Sequence, residues 1–309
     1  MKKVNSFILS AGLLLIASVG MVACKKTQTT SDGIEYTYIK EGDKKPNNGE
    51  FVVYHFTAKN GNDSTFISSY DQPTPAYLQY NDSIEQKSGI DEIFLNLKSG
   101  DSIVINSTAA KVFGAEGLPP FLTNDEEVTI SIGVVDVLEE QVFQDYFNDL
   151  ADAHQQKQSE EAVVQLQEDV KIIEDYIAEN NLDATKTESG LFYVIEEEGS
   201  GPEVDQGDTV SVNYTGYVLN GTVFDTSLES VARENDTFTE GRPYEPIEVQ
   251  VGMGRVIPGW DEGLQYLKEG SKAKLIIPST LAYGPQQASE VIKANSVLIF
   301  DLEVTDVQK

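Results

Sequence analysis

The sequence predicts an α+β chain in which one strand-rich domain occurs twice, with a helical segment between the copies. From about residue 32 to 140, and again from Ser189 onward, apolar and polar residues alternate in short runs. Gly, Pro, Asn and Asp punctuate these runs, as in half-buried strands joined by turns. Between the two regions Val142, Phe143, Tyr146, Phe147 and Leu150 recur at helical spacing, and so do Val163, Leu166, Val170, Ile173 and Ile177. Residues 89–137 align without a gap to 259–307, at an offset of 170, with ten of the 49 pairs identical.

The chain opens with Lys2 and Lys3, an apolar run from Phe7 to Val22, and small Ala23 before the only cysteine, Cys24. This reads as a cleavable export signal over residues 1–23, too short and wrongly flanked for a stable membrane span. Met21-Val22-Ala23-Cys24 resembles a bacterial lipobox, with Met21 where that motif usually carries leucine. The resemblance implies that Cys24 is lipidated and anchors the chain to a membrane. Lys25-Lys26 follows without an acidic residue, which fits an outer-membrane anchor facing the periplasm. Residues 24–31 read as a polar tether. No second cysteine exists to form an intramolecular disulfide.

The formal net charge of −29 repels phosphate backbones, so nucleic acid is not an expected partner. Only His55 and His154 accompany the single cysteine, and no ligand-spaced cluster occurs, so neither a metal nor a cofactor is expected. Scattered carboxylates make a solvated surface rather than an acid/base pair.

Landmarks strengthen the repeat. Gly89-Ile90-Asp91-Glu92 lies over Gly259-Trp260-Asp261-Glu262, Leu97-Lys98-Ser99-Gly100 over Leu267-Lys268-Glu269-Gly270, and Phe113-Gly114 over Tyr283-Gly284. Earlier, at an offset of 158, Phe56-Thr57 corresponds to Tyr214-Thr215 and Phe66-Ile67 to Phe224-Asp225. The expected domains are residues 32–140 and 189–309, with a helical linker over 141–188. His154 to Ser159 interrupts the apolar stripe, so the linker is one long helix or two, and Asn180-Asn181 is its end signal.

In the second copy Val210, Val212 and Tyr214 alternate with Ser211 and Asn213, giving one buried and one wet face. Trp260, Leu264 and Leu267 form a stripe at i, i+4 and i+7, a short helix that Gly270 is placed to end. Four stretches then appear in order: VSVNYTGYVLNGTVFDTS from Val210, VGMGRVIPGWDEGL from Val251, LKEGSKAKLIIPSTLAYG from Leu267 and NSVLIFDLEV from Asn295. Together they resemble the FKBP-type peptidyl-prolyl cis/trans isomerases over about 100 residues. The resemblance implies two FKBP-like domains, each a strongly bent antiparallel sheet wrapping a short helix. It implies proline-containing, unfolded or exported polypeptides as partners, and leaves the oligomeric state open.

Rotation about a prolyl amide faces a barrier of ~18–20 kcal/mol. The twisted amide is less dipolar than the planar one, so a dry apolar recess favours it relative to water. By resemblance, Trp260 is the floor of that recess, and Tyr214, Phe224, Val256, Ile257 and Phe300 are its walls. Ile247 stands where the family often has phenylalanine. Ile292 belongs to a flap over the pocket, with Lys293 in place of the usual proline. Tyr283 gives its phenol hydrogen to the substrate carbonyl, and Asp225 accepts or organises a hydrogen bond at the rim. The segment from Thr226 to Glu245 is longer than in minimal members and reads as an exposed excursion. In the first copy Phe56, Ile67, Ile90, Phe113 and Ile130 replace Tyr214, Asp225, Trp260, Tyr283 and Phe300. That copy keeps an apolar core and loses every polar handle, so it is expected to be inactive. The competing reading is a chaperone that uses the same recess to hold polypeptide without catalysis.

Overall fold

The structure, a computed structural model, describes residues 26–83, 89–114 and 117–309. The export segment and Cys24 lie outside the described residues. Two compact units divide within a helix, the first reaching His154 and the second running from Gln155 to Lys309.

In the first unit the alternating runs become β1 (Lys26–Thr29), β2 (Glu35–Lys40), β3 (Phe51–Asn60), β4 (Thr65–Ser68), β5 (Ala76–Gln79), β6 (Ser102–Thr108) and β7 (Glu127–Leu138). Two short helices, α1 (Gly89–Asn96) and α2 (Ala109–Phe113), accompany them. The antiparallel sheet runs β1-β2-β6-β7-β3-β4, with β5 beside β3. Ile93 on α1 and Leu97 just after it are fully buried with Ile103, Ile105 and Ile132. Each such side chain contributes roughly 1.5–3 kcal/mol relative to exposure.

The expected tether is corrected here. Lys26 to Thr29 pair in register with Tyr38 to Glu35, and the Thr27 and Thr37 hydroxyls lie 3.0 Å apart. Alternating threonines suit an edge strand, and β-branching favours the extended chain. Polarity alone had suggested a linker, and an edge strand facing water is also polar.

The helical spacing becomes one unbroken helix, α3 (Glu140–Glu179). At its start Phe143 stacks on Phe51 (4.0 Å between centroids, 11° between planes) and Phe147 meets Tyr77 at 5.2 Å. Toward its end Ile173 is fully buried with Phe192, Ile276 and Ile299, and Val170, Tyr176 and Ile177 pack beside it. Residues 151–164 are exposed throughout, and the polar run from His154 to Ser159 falls within that stretch. Ala, Gln, Glu and Lys favour helix by propensity there, and Lys157 pairs with Glu161 at 3.6 Å and Gln156 with Glu160 at 2.9 Å one turn on. Val142 and Val163, expected on apolar stripes, are exposed. At the far end Asn181 takes a left-handed φ of 52°, and Leu182 N–H donates to Ile177 O at 3.1 Å, closing the helix.

The second unit repeats the first. Its strands are β8 (Thr185–Lys186), β9 (Phe192–Glu197), β10 (Thr209–Val218), β11 (Val223–Thr226), β12 (Ile247–Gln250), β13 (Lys272–Ile277) and β14 (Leu298–Gln308). The antiparallel order β8-β9-β13-β14-β10-β11, with β12 on β10, matches the first sheet strand for strand. Even the irregularities recur. The long central pair is bulged at Val53/Tyr54 in one domain and at Ser211/Val212 in the other. The hairpin partner is bulged at Ala58/Lys59 and at Gly216/Tyr217. A bulge bends a strand and increases its twist, so the same curvature is built twice.

Helices α4 (Glu229–Glu234) and α5 (Pro258–Gly263) complete the unit, α5 running on into a 3₁₀ turn, Leu264–Tyr266. Trp260, Leu264 and Leu267 are buried as their spacing required. Gly270 does adopt a positive φ, 86°, but it does not end the helix. Leu267 is already extended, and Gly270 donates its N–H to Val304 O in the turn that enters β13.

Candidate active site

Four aromatic rings meet in the core cluster of the second unit. Tyr214 comes from β10, Phe224 from β11, Trp260 from α5 and Phe300 from β14. Trp260 packs edge-on against Tyr214 (5.4 Å, 80°) and against Phe300 (5.2 Å, 89°), and Phe224 meets Phe300 at 5.6 Å and 83°. Near-perpendicular contacts of this kind suit the ring quadrupoles and leave no two faces stacked shut. Trp260, Tyr214 and Phe300 are buried, while Phe224, Ile247, Val256 and Ile257 are partly buried against the same cluster.

The loop carrying Val256 and Ile257 is pinned from below. Asp261 accepts from Gly252 N–H at 2.9 Å and from Gly254 N–H at 2.8 Å. Both glycines take left-handed φ values, 74° and 66°, which side-chain-bearing residues rarely adopt. Pro258 then opens α5 at its first position, where no amide hydrogen is needed.

One edge of the aromatic cluster is polar. Tyr214 Oη donates to Asp225 Oδ2 at 2.5 Å, and Thr226 N–H donates to Asp225 Oδ1 at 2.9 Å. Arg242 donates to Asp225 Oδ1 at 2.6 Å and to Tyr214 Oη at 3.3 Å. Burial, with the Asp225 carboxylate beside it, pushes the Tyr214 phenol up to about 12, so it keeps its proton at neutral pH. Hydrogen bonding to Asp225 raises Arg242 further above its ordinary range.

Sequence reasoning missed Arg242, which it placed in an exposed excursion. That segment is ordered. It contains α4, and Arg233 lies 3.6 Å over the Phe238 ring, which stacks on Tyr244 (5.5 Å, 13°), while Arg242 lies over Tyr244 at 5.4 Å. One signal was available: all three arginines of the chain, Arg233, Arg242 and Arg255, fall within this stretch and the loop after it.

Ile292 is buried in the cluster. Its loop closes on itself, with Ser289 Oγ accepting from Ile292 N–H at 3.0 Å and Ile292 O accepting from Ala288 N–H at 3.1 Å. Tyr283 stands apart from the ring network. It is 45% exposed and makes no ring contact with Trp260, Phe224 or Phe300 among the described residues. Its neighbours Leu281 and Ala282 pack on the cluster, and Gly284 O accepts from Asn295 N–H at 2.8 Å, at the foot of the Ile292 loop. The structure therefore brings nine of the ten expected residues into one network and leaves Tyr283 beside it.

The family model for FKBP-type peptidyl-prolyl cis-trans isomerase matches residues 42–135 and 201–305, well over half of the chain. The chain belongs to the FKBP-type peptidyl-prolyl cis-trans isomerase family. It is 44% identical over 125 residues to a probable FKBP-type peptidyl-prolyl cis-trans isomerase of Haemophilus influenzae, covering 40% of this chain and 46% of that protein. It is 40% identical over 118 residues to an FK506-binding protein of Neisseria meningitidis serogroup B, covering 38% of this chain and 96% of that one. The crystal structure of FkpA from Escherichia coli is 33% identical, covering 55% of this chain and 71% of that chain, with a TM-score of 0.37. The chain spans less than half the length of the Haemophilus protein and of the Buchnera FkpA proteins that it also matches.

Both FKBP-type domains keep the same scaffold around their apolar cluster, and only the second has Tyr214, Asp225 and Tyr283 at the corresponding positions. Phe56 N–H donates to Ser69 Oγ at 2.8 Å, as Tyr214 N–H donates to Ser227 Oγ at 2.9 Å. In the first domain Phe56, Phe66, Ile90 and Phe113 pack around a core that includes Ile130, and Ile67 is exposed where Asp225 would be. Among the described residues no cluster of three His, Cys, Asp or Glu side chains is arranged to hold a metal.

Proposed function

We propose that the second FKBP-type domain catalyses cis/trans rotation about X-Pro bonds in polypeptides. The observation that carries this is the convergence of Tyr214, Phe224, Trp260 and Phe300 beside the ordered Asp225 carboxylate. A pyrrolidine ring seated among these edges leaves water, and Trp260 forms the floor beneath it. Twisting the amide breaks its resonance and reduces its dipole. Relative to water, a weakly polar surround then favours the twisted form over the planar one, and that difference lowers the barrier.

Asp225 already accepts from Tyr214, Thr226 and Arg242, so its role is to hold the rim in shape rather than to take a proton. Tyr283, a half-exposed residue, carries the hydroxyl that donates to the substrate carbonyl. Val256 and Ile257, with Ile247, wall the seat of the proline ring, and Ile292 covers it. In a protease-coupled assay on the full chain, Tyr283→Phe and Asp225→Ala are expected to lower kcat/KM on the order of tenfold or more, with the fold intact. Rates no faster than the uncatalysed background in all three proteins would favour the second reading, a polypeptide-holding chaperone. The first domain supports that alternative, because it keeps the fold without the polar groups.

Unfolded or exported polypeptides containing proline are the substrates we propose. The basic start, apolar run and Cys24 support lipid anchoring in the cell envelope, at the outer membrane facing the periplasm. A Cys24→Ser variant is then expected to move from the membrane fraction to the soluble periplasm. Wild type and variant fractionating alike would contradict the anchor.

A further inference from the structure

Asp169 on α3 is fully buried, yet only neutral groups donate to it. Its Oδ2 accepts from Ser279 N–H at 2.7 Å and from Ser279 Oγ at 2.6 Å, and its Oδ1 accepts from Gln165 Nε2 at 2.8 Å. Burying a carboxyl is costly unless every lone pair direction finds a donor, and this one is matched to a single residue far along the chain. That residue opens the 3₁₀ turn Ser279–Leu281, whose preceding position is Pro278, a residue with no side-chain group to cap it. Asp169 supplies the missing cap from another element.

The bonds continue from Ser279 to the candidate site. Ser279 O accepts from Ala282 N–H at 2.9 Å and from Gly284 N–H at 2.8 Å, the residues on either side of Tyr283. Gly284 O in turn accepts from Asn295 N–H at 2.8 Å, at the foot of the loop that carries Ile292. Two links therefore join the buried carboxyl of α3 to the backbone around Tyr283, and a third reaches the flap.

The first domain shows the contrast. Its counterpart of Ser279 is Ala109, whose N–H donates to Glu126 O at 2.8 Å in its own loop. No hydroxyl is present, and the residue corresponding to Tyr283 is Phe113. The side-chain cap from a helix accompanies the copy that has a phenol to place.

We propose that Asp169 is a positioning residue for the prolyl isomerase site: it holds the turn that presents Tyr283 and, through Gly284 and Asn295, the Ile292 flap. The second half of α3 is then a working part of the isomerase domain and not only a connection to it. This rests on the isomerase reading above. Without Asp169 the Ser279 N–H and hydroxyl lose their acceptor inside the protein, and the turn must shift to find another.

The test compares full-length Asp169→Ala with Ile173→Ala, which removes apolar packing from the same stretch of α3 without touching the turn. Two quantities are read well below the melting temperature of each variant: kcat/KM for isomerisation, and amide hydrogen exchange at Gly284 and Asn295. Asp169→Ala is expected to lower kcat/KM on the order of ten- to a hundredfold, since a displacement near 1 Å suffices for that, and to speed exchange at both amides. Ile173→Ala is expected to lower the melting temperature while leaving both readings near wild type. Asp169→Asn can still accept from Ser279 N–H, with Gln165 turned to accept from the new amide, and is expected to recover most of the rate.

Should Asp169→Ala not fold, Ser279→Ala removes one of the two bonds and is expected to give a severalfold lower kcat/KM. An Asp169→Ala protein with wild-type rate and wild-type exchange would overturn the proposal, as would equal rate losses in Asp169→Ala and Ile173→Ala. If the wild-type chain shows no turnover at all, the isomerase reading fails instead. The exchange measurement then still decides whether Asp169 holds the turn.

Discussion

Gly216 lies opposite Phe300 in the central strand pair, and a Cβ built on it would sit 2.7 Å from ring carbons of both Phe224 and Phe300. Its backbone is ordinary, so the missing side chain answers a need for space and not for an unusual φ. The first domain has Ala58 at the matching position, opposite Ile130, where the smaller partner leaves room for a methyl group. Gly216→Ala is therefore expected to cost about 1–3 kcal/mol through displaced rings, and to lower kcat/KM because those rings wall the recess. Adding Phe300→Ile should return part of that stability by restoring the first domain's pairing. Chemical denaturation of both single variants and the double variant measures the coupling, and strict additivity would contradict this account. At this scale the sequence carried much of the site. Trp260, Tyr214, Phe224, Asp225 and Phe300 were legible because each falls within a long ordered motif. Arg242 was not, since it reaches Asp225 across 17 positions through a segment with no periodicity to fix its path.

At the scale of elements, the sequence signals were strong where a single face is buried and weak where burial changes along the chain. The strand alternations and their bulges repeat between domains because the same core lies beneath them. Helix α3 obscured its pattern for a physical reason. Phe143 and Phe147 face the first domain, Ile173 and Ile177 the second, and residues 151–164 face water. No single apolar stripe runs its length, so the spacing left open whether one helix or two was present. Edge strand β1 was read as a tether because its Lys, Thr and Gln residues are polar, and backbone pairing leaves no mark on polarity. The insertion after β11 was read as exposed because most of its residues are charged or polar. Its order comes from a stack of Arg233, Phe238 and Tyr244, and contacts between side chains several positions apart in irregular chain are invisible to periodicity.

For the whole molecule, the two domains pose a controlled comparison within one chain. They share strand order, bulges and the serine bond under the recess, but differ in polar groups at the recess itself. If catalysis needed only an apolar hollow on this fold, both copies would turn over substrate, because the first domain's replacements are all apolar and its core is closed. If it needs the phenol and the ordered carboxylate rim, only the second will. The full chain with Asp225→Ala and Tyr283→Phe combined separates these cases without removing either domain from its context. With both polar groups removed, its residual rate should fall to about one per cent of wild type or below, in line with the hundred- to thousandfold losses that follow removal of a positioned donor. Circular dichroism and the melting profile would verify that both domains remain folded. A residual rate near half of the wild-type value would mean that an apolar recess suffices without the phenol and the ordered carboxylate, and that desolvation alone accounts for the acceleration.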